Sequence, residues 1–196
     1  LYPEDSPLRS GTIDVKYMTA KEEDILTSQN LIEQGVVITR LIESVIADPK
    51  VKLDDMLIGD KNAIMVGTRI LGYGKDYAIE LTDPDTNERV EYVVDLSKLQ
   101  NKSIDEKLFE NGNNFTLELP NSKRVIGFKL LTHKDEKQIE ETLKDYEKAE
   151  KLTGVSYSLT TRLKHQIVSI DGNTDQKQID DFVDNEFLAL DTRAFR

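Results

Sequence analysis

The chain has 196 residues, 38% of them hydrophobic and 32% charged, with no cysteine, no tryptophan and a net charge of −11. That length can bury a core without staples, as one good-sized domain or two small ones. The missing cysteines exclude disulfides, thiol nucleophiles and cysteine-based zinc sites, the acidity opposes general nucleic-acid binding, and no stretch approaches the roughly eighteen apolar residues of a membrane span. No signal peptide is read at the N-terminus. The chain starts on Leu1 rather than Met and stops on Arg196, and both ends read as cuts in a longer polypeptide.

Leu1 to Ser10 carries Pro3 and Pro7 without periodicity and reads as an extended arm. Thr12 to Met18 alternates, with Ile13, Val15 and Tyr17 on one face, as a strand does. Thr19 and Glu22 form a capping-box pattern that opens a short helix from Ala20 to about Leu26. Thr27 to Asn30 is turn-like.

Val36 to Ala47 is the clearest core helix, with Val37, Leu41, Val45 and Ile38, Ile42, Ile46 on one stripe. Asp48-Pro49 ends it. A further helix starts at Ile58-Gly59-Asp60, with Asp60 as cap, and runs to about Leu71. Gly67 within it would permit close packing, and Gly72-Tyr73-Gly74 closes it.

Two hairpins follow. In the first, Tyr77, Ile79 and Leu81 return as Val90, Tyr92 and Val94 across the turn chemistry of Asp83 to Asn87. In the second, Phe115, Leu117 and Leu119 return as Val125 to Leu131. Ser97 to Asn114 between them reads as loop with a helical turn at Asp105 to Phe109.

His133 to Leu152 is a highly charged helix. Its narrow apolar stripe of Ile139, Leu143, Tyr146 and Ala149 is closer to a coiled-coil seam than to a full core face. Pairs Lys137/Glu141, Glu140/Lys144 and Glu147/Lys151 support it. Tyr157 to Ile170 is ambiguous, although Leu159, Leu163, Ile167 and Ile170 fit a helix. Thr174 caps a last helix with Ile179, Phe182, Val183, Phe187 and Leu190 inward. The expected fold is α+β: a mixed region over 1–132 with two hairpins and an N-terminal arm, then an all-helical region over 133–196.

Candidate chemistry is weak against ordinary structural readings. Gly72-Tyr73-Gly74-Lys75 lacks phosphate-loop spacing and follows a helix. Asp83, Asp85 and Glu88, and Asp171 to Asp175, are too short for a calcium loop. Glu22, Glu23 and Asp24 suit the positive end of a helix dipole. His165 lies near Ser158 and Thr160 without a nucleophile elbow, and it and His133 read as surface histidines. No catalytic, cofactor or metal residue is assigned.

One continuous pattern remains: Leu1-Tyr2-Pro3-Glu4-Asp5-Ser6-Pro7-Leu8, Gly11-Thr12-Ile13-Asp14-Val15 and Met18 to Thr27, then Leu57 to Lys61 and Arg69 to Tyr77. It resembles the baseplate hub family of T-even-like contractile-tailed phages, strongly over the first half and loosely beyond. The resemblance implies cysteine pairs after the strand ending near Leu81 and near the C-terminus. Here Asp83-Pro84-Asp85 stands at the first place and the chain ends before the second, so no zinc ribbon is claimed. It implies a non-enzymatic virion protein acting through contacts with other tail and baseplate proteins. The alternative is an assembly chaperone that binds the tape-measure protein in the host cytoplasm and is absent from mature virions. Candidate partner contacts are Tyr2 and Pro3, Tyr17 and Met18, Ile139, Leu143 and Tyr146, and Phe187 and Phe195, with core packing as their ordinary reading.

Overall fold

The computed structural model describes residues 1–100, 106–109 and 111–196. It is a mixed α+β structure. Its helices are α1 (Ala20–Thr27), α2 (Gln29–Glu33), α3 (Val37–Val45), α4 (Ile58–Tyr73), α5 (His133–Thr153), α6 (Ser158–Gln166), α7 (Gln176–Asp181) and α8 (Ala189–Phe195). Its strands are β1 (Asp76–Thr82), β2 (Arg89–Asp95), β3 (Phe115–Glu118), β4 (Val125–Phe128) and β5 (Ile167–Ile170). The chain forms two compact units that are discontinuous in sequence: Leu1–Arg9, Asp54–Ile58 and Asp105–Arg196 in one, Ser10–Leu53 and Gly59–Ile104 in the other.

The second of these units is built on helices and one hairpin. Glu22 accepts the Thr19 N–H at 2.8 Å, the back half of the expected capping box. α3 buries Leu41, Ile42 and Val45 along the expected stripe, while Ile38 on its flank stays exposed. The expected strand over Thr12 to Met18 does not form. Among the described residues its ladder contacts are with the end of α3 and the residues just after it: Val15 bridges Ile46, Lys16 N–H donates to Val45 and Ala47 N–H to Asp14. Tyr17, beyond the bridge, is 72% exposed. Gln29 and Asn30, expected in a turn, begin α2. Asp60 lies inside the first turn of α4 instead of capping it.

Gly74, at φ +83°, ends α4 with its N–H on Ile70, a backbone conformation that glycine adopts without a Cβ penalty. The close-packed glycine of α4 is Gly72. A Cβ there would lie 2.9 Å from Met18 Sδ, whereas Gly67 faces open space. The first hairpin has the expected register, with Tyr77 opposite Val94, Ile79 opposite Tyr92 and Leu81 opposite Val90. Its turn is fixed by Asp83, whose carboxylate accepts the Asp85 N–H, and by Asn87 at φ +61°.

The other unit holds a three-stranded antiparallel sheet in the order β3-β4-β5. The second expected hairpin supplies β3 and β4. β5 is a correction: the stretch from 133 onward was expected to be all helix. Ile167 to Ile170 instead leaves α6 as a strand on β4, because its β-branched run packs better on a half-built sheet than in a helix. The core beneath it is Leu119, Ile126, Leu163, Ile167, Ile170, Ile179, Phe182 and Val183. All six phenylalanines run ring to ring, Phe109–Phe115–Phe128–Phe195–Phe187–Phe182, with centroids 5.2–6.2 Å apart.

The expected extended arm is a run of turns: Ser6 N–H donates to Pro3, Arg9 N–H to Ser6, and Leu8 is buried. Glu106–Phe109 forms a 3-10 turn. Asp105, expected to start it, lies outside the described residues. The last helix is broken, contrary to expectation. Asp175, not Thr174, caps α7, Phe182–Glu186 continues as a π-type turn, and Leu190 on α8 is 65% exposed.

Candidate interaction surfaces

α5 is held at its N-terminal end. Thr132 and Asp135 cap it reciprocally, the Thr132 N–H donating to Asp135 at 2.8 Å and the Asp135 N–H to Thr132 Oγ1 at 3.2 Å. Burial alone would raise the Asp135 pKa. The Lys129 ammonium at 2.7 Å and the Thr132 bonds outweigh it and hold the group below the usual carboxylate range. His133 is buried, and its N–H donates to Met56. The reading of it as a surface histidine is therefore corrected. Of the three expected charge pairs, Glu147/Lys151 forms, at 3.9 Å, while Lys137 reaches Asp54.

The narrow stripe of α5 divides into two parts. Ile139 is wholly enclosed and Leu143 half-buried, while Tyr146 is exposed and stacks on Tyr157 at 5.0 Å. Ile139 is thus a core residue in this structure, contrary to its assignment as a partner contact. Phe187 and Phe195 are half-buried and pack against the core cluster. Tyr2 is half-buried and its hydroxyl accepts the Leu57 N–H at 2.9 Å, whereas Pro3 is exposed. Met18 lines a groove, and Tyr17 is exposed.

Two concave features stand out, one in each unit. A polar cleft of 480 Å³ lies among α5, α6, β5 and α7, lined by Lys129, Asp135, Tyr146, Lys164, His165 and Asp180. Burial lowers the His165 pKa, against the upward pull of Asp135 and Asp180. His165 is half-buried, so it is not the surface residue expected. Lys129 and Lys164 are each paired, with Asp135 and Asp184. The cleft thus presents balanced charge, Lys129 and Lys164 against Asp135 and Asp180.

The second feature is an apolar groove of 340 Å³ bordered by Met18, Ile38, Met65, Tyr73 and Tyr77, with Thr68 in its wall. Thr68 Oγ1 is buried and has no hydrogen-bond partner among the described residues. Arg69 lies over the Tyr73 and Tyr77 rings at 5.0 and 5.7 Å. Among the described residues no cluster of three or more His, Asp or Glu is placed to hold a metal, and no helix is long and apolar enough to cross a membrane.

A family model described as T4 bacteriophage base plate protein matches residues 3–187. The chain belongs to that family. It is a structural protein of the phage baseplate, in the virion tail, and interacts there with other tail and baseplate proteins. Neither a curated protein nor a solved structure matches the chain. A baseplate protein needs surfaces for neighbours more than a reactive centre, and two such features go beyond the elements expected from sequence. The Thr132/Asp135 cap is visible as a Thr-x-x-acid pattern just before a helix. The groove is not visible there, because it assembles Met18, Ile38, Met65 and Tyr77 from segments far apart in the chain.

Proposed function

We propose that this baseplate protein is a hub subunit that acts through protein–protein contacts alone, without catalysis. The observation that carries the reading is its surface. Among the described residues, more large hydrophobic side chains are exposed than buried, including Tyr17, Tyr92, Leu152, Val155 and Leu190. Single exposed apolar residues are ordinary, but contiguous ones mark interaction surfaces, and exposed Ile38, Met65, Tyr73 and Tyr77 border one groove. The match across residues 3–187 supplies the setting.

A second reading is a tail assembly chaperone for the tape-measure protein, acting in the host cytoplasm. The net charge of −11 and the sparse apolar seam of α5 favour it, since both suit transient binding of a helical partner. Quantitative mass spectrometry of purified, salt-washed particles separates the two. A fixed small copy number matching the tail symmetry is expected. Absence from particles, with the chain bound to tape-measure protein in infected-cell lysate, would establish the chaperone instead.

A further inference from the structure

Asn111 is the only asparagine of the chain that a glycine follows. Asparagine is among the thermally labile residues, because the next backbone nitrogen can attack its side-chain carbonyl carbon. A glycine there offers no Cβ to stand in the way. Asn111 is exposed, and its side-chain amide has no hydrogen-bond partner among the described residues. The Gly112 N–H donates to the Phe109 carbonyl at 3.0 Å, which closes a short turn. Gly112 lies at φ +65°, and a Cβ there would meet the Leu1 carbonyl no closer than 4.0 Å. An exposed turn bond opens locally, at small free-energy cost, without unfolding the rest of the chain.

Other asparagines are held as this one is not. The Asn121 amide donates to Asp191 at 2.9 Å, and the next nitrogen, that of Ser122, donates to the same carboxylate at 2.9 Å. Asn173 donates to Gln178 and accepts the Asp175 N–H. The Asn185 amide donates to Asp181. Asp171-Gly172 is the chain's one Asp-Gly pair, open to the same attack in principle. Its carboxylate is held by the Arg124 guanidinium and the Val125 N–H.

We infer that Asn111 is a self-modifying site, which converts to isoaspartate and aspartate in the folded protein. With the turn bond open, the Gly112 nitrogen loses its proton to hydroxide and bonds to Asn111 Cγ. The side-chain nitrogen takes a proton from water, which restores the hydroxide, and leaves as ammonia. The cyclic imide that remains takes up water. Opening at the main-chain carbonyl gives isoaspartate, in which the backbone runs through the former side chain and is a methylene longer. Opening at the former side-chain carbonyl gives aspartate. Either product places a carboxylate, ionised at neutral pH, beside the Leu1 carbonyl. The added methylene falls between fixed points: Phe109, edge-on to Phe115 at 5.9 Å, and Asn113, which donates to the Leu130 carbonyl and accepts the Leu130 N–H.

The test incubates the full chain at physiological temperature over a range of neutral to mildly alkaline pH. Peptide mapping by mass spectrometry, with fragmentation that tells isoaspartate from aspartate, follows each asparagine. Asn111 should convert to both products well ahead of Asn121, Asn173 and Asn185, at a rate that rises in proportion to hydroxide. Asn111→Gln, whose longer side chain closes the ring far more slowly, should stop the conversion. Ile139→Ala raises the unfolded population and should leave the Asn111 rate unchanged. The inference is overturned if Asn111 stays intact while a free peptide of residues 107–116 converts, if Asn121, Asn173 or Asn185 converts as fast, or if the rate ignores pH. Acceleration by Ile139→Ala in step with its loss of stability would also overturn it, since the reaction would then run through the unfolded chain.

Discussion

Ile139 offers the sharpest test of how α5 is anchored. It is wholly enclosed, whereas Leu152, about three and a half turns further on, is 88% exposed. Replacing Ile139 with Ala removes three carbons from water-free packing. At about 0.8 kcal/mol per methylene the transfer loss is about 2.4 kcal/mol. The cavity left behind adds to it, for a total of about 3–4 kcal/mol. At roughly 2–4 °C per kcal/mol for a chain of this size, the melting point of the transition that includes α5 should fall by about 6–16 °C. Leu152→Ala removes as many carbons from solvent and should cost less than about 0.5 kcal/mol. Urea unfolding followed by circular dichroism at the helix band measures both. If Ile139→Ala cost under about 1 kcal/mol, or if the two variants cost the same, the reading of Ile139 as the buried anchor of α5 and of Leu152 as a solvent-exposed residue would be wrong.

Other predictions bear on single sites. Gly127 faces Ser169, and a Cβ there would collide with Ser169 Oγ. Gly127→Ala should therefore destabilise by about 1–3 kcal/mol, and adding Ser169→Ala should recover most of it in a double-mutant cycle. Asp191 is fully buried. Burial would raise its pKa, but the Asn121 and Ser122 N–H groups and the Asn121 amide hold it down at about 2. A depressed carboxylate stabilises the fold above its unfolded value near 3.8, and that contribution is lost as pH falls from about 4 towards 2. Acid titration of wild type against Asp191→Asn should show the steeper loss only in wild type. Glu22 is likewise held at about 2, chiefly by the Ser44 hydroxyl at 2.6 Å, so Ser44→Ala should raise its pKa in an NMR titration.

Several elements are legible in the amino-acid sequence because local rules write them. The Asp83 to Asn87 turn and the strict alternation on either side define β1, β2 and their pairing, because a tight turn sets register and a period of two sets the face. Thr19 and Glu22 mark the start of α1, and Gly74 the end of α4, because helix ends satisfy their backbone groups with neighbours a few residues away. The family, too, is legible, since long motifs near the N-terminus carry it.

What the tertiary structure alone decided is where those elements find partners. Leu163, Ile167 and Ile170 have helical spacing, yet Ile167 to Ile170 became β5 once β4 presented an open edge. The alternation of Thr12 to Met18 is as clean as that of β1, yet among the described residues it meets the residues at the end of α3 in one bridge, Val15 with Ile46. Ile139 and Tyr146 share one stripe, and only the packing around each shows that one is core and the other surface. The groove of Met18, Ile38, Met65 and Tyr77 arises from segments up to about sixty residues apart. Hydrogen-bond caps and turns act over three or four residues and are written locally, whereas burial and strand pairing depend on what the rest of the chain brings alongside.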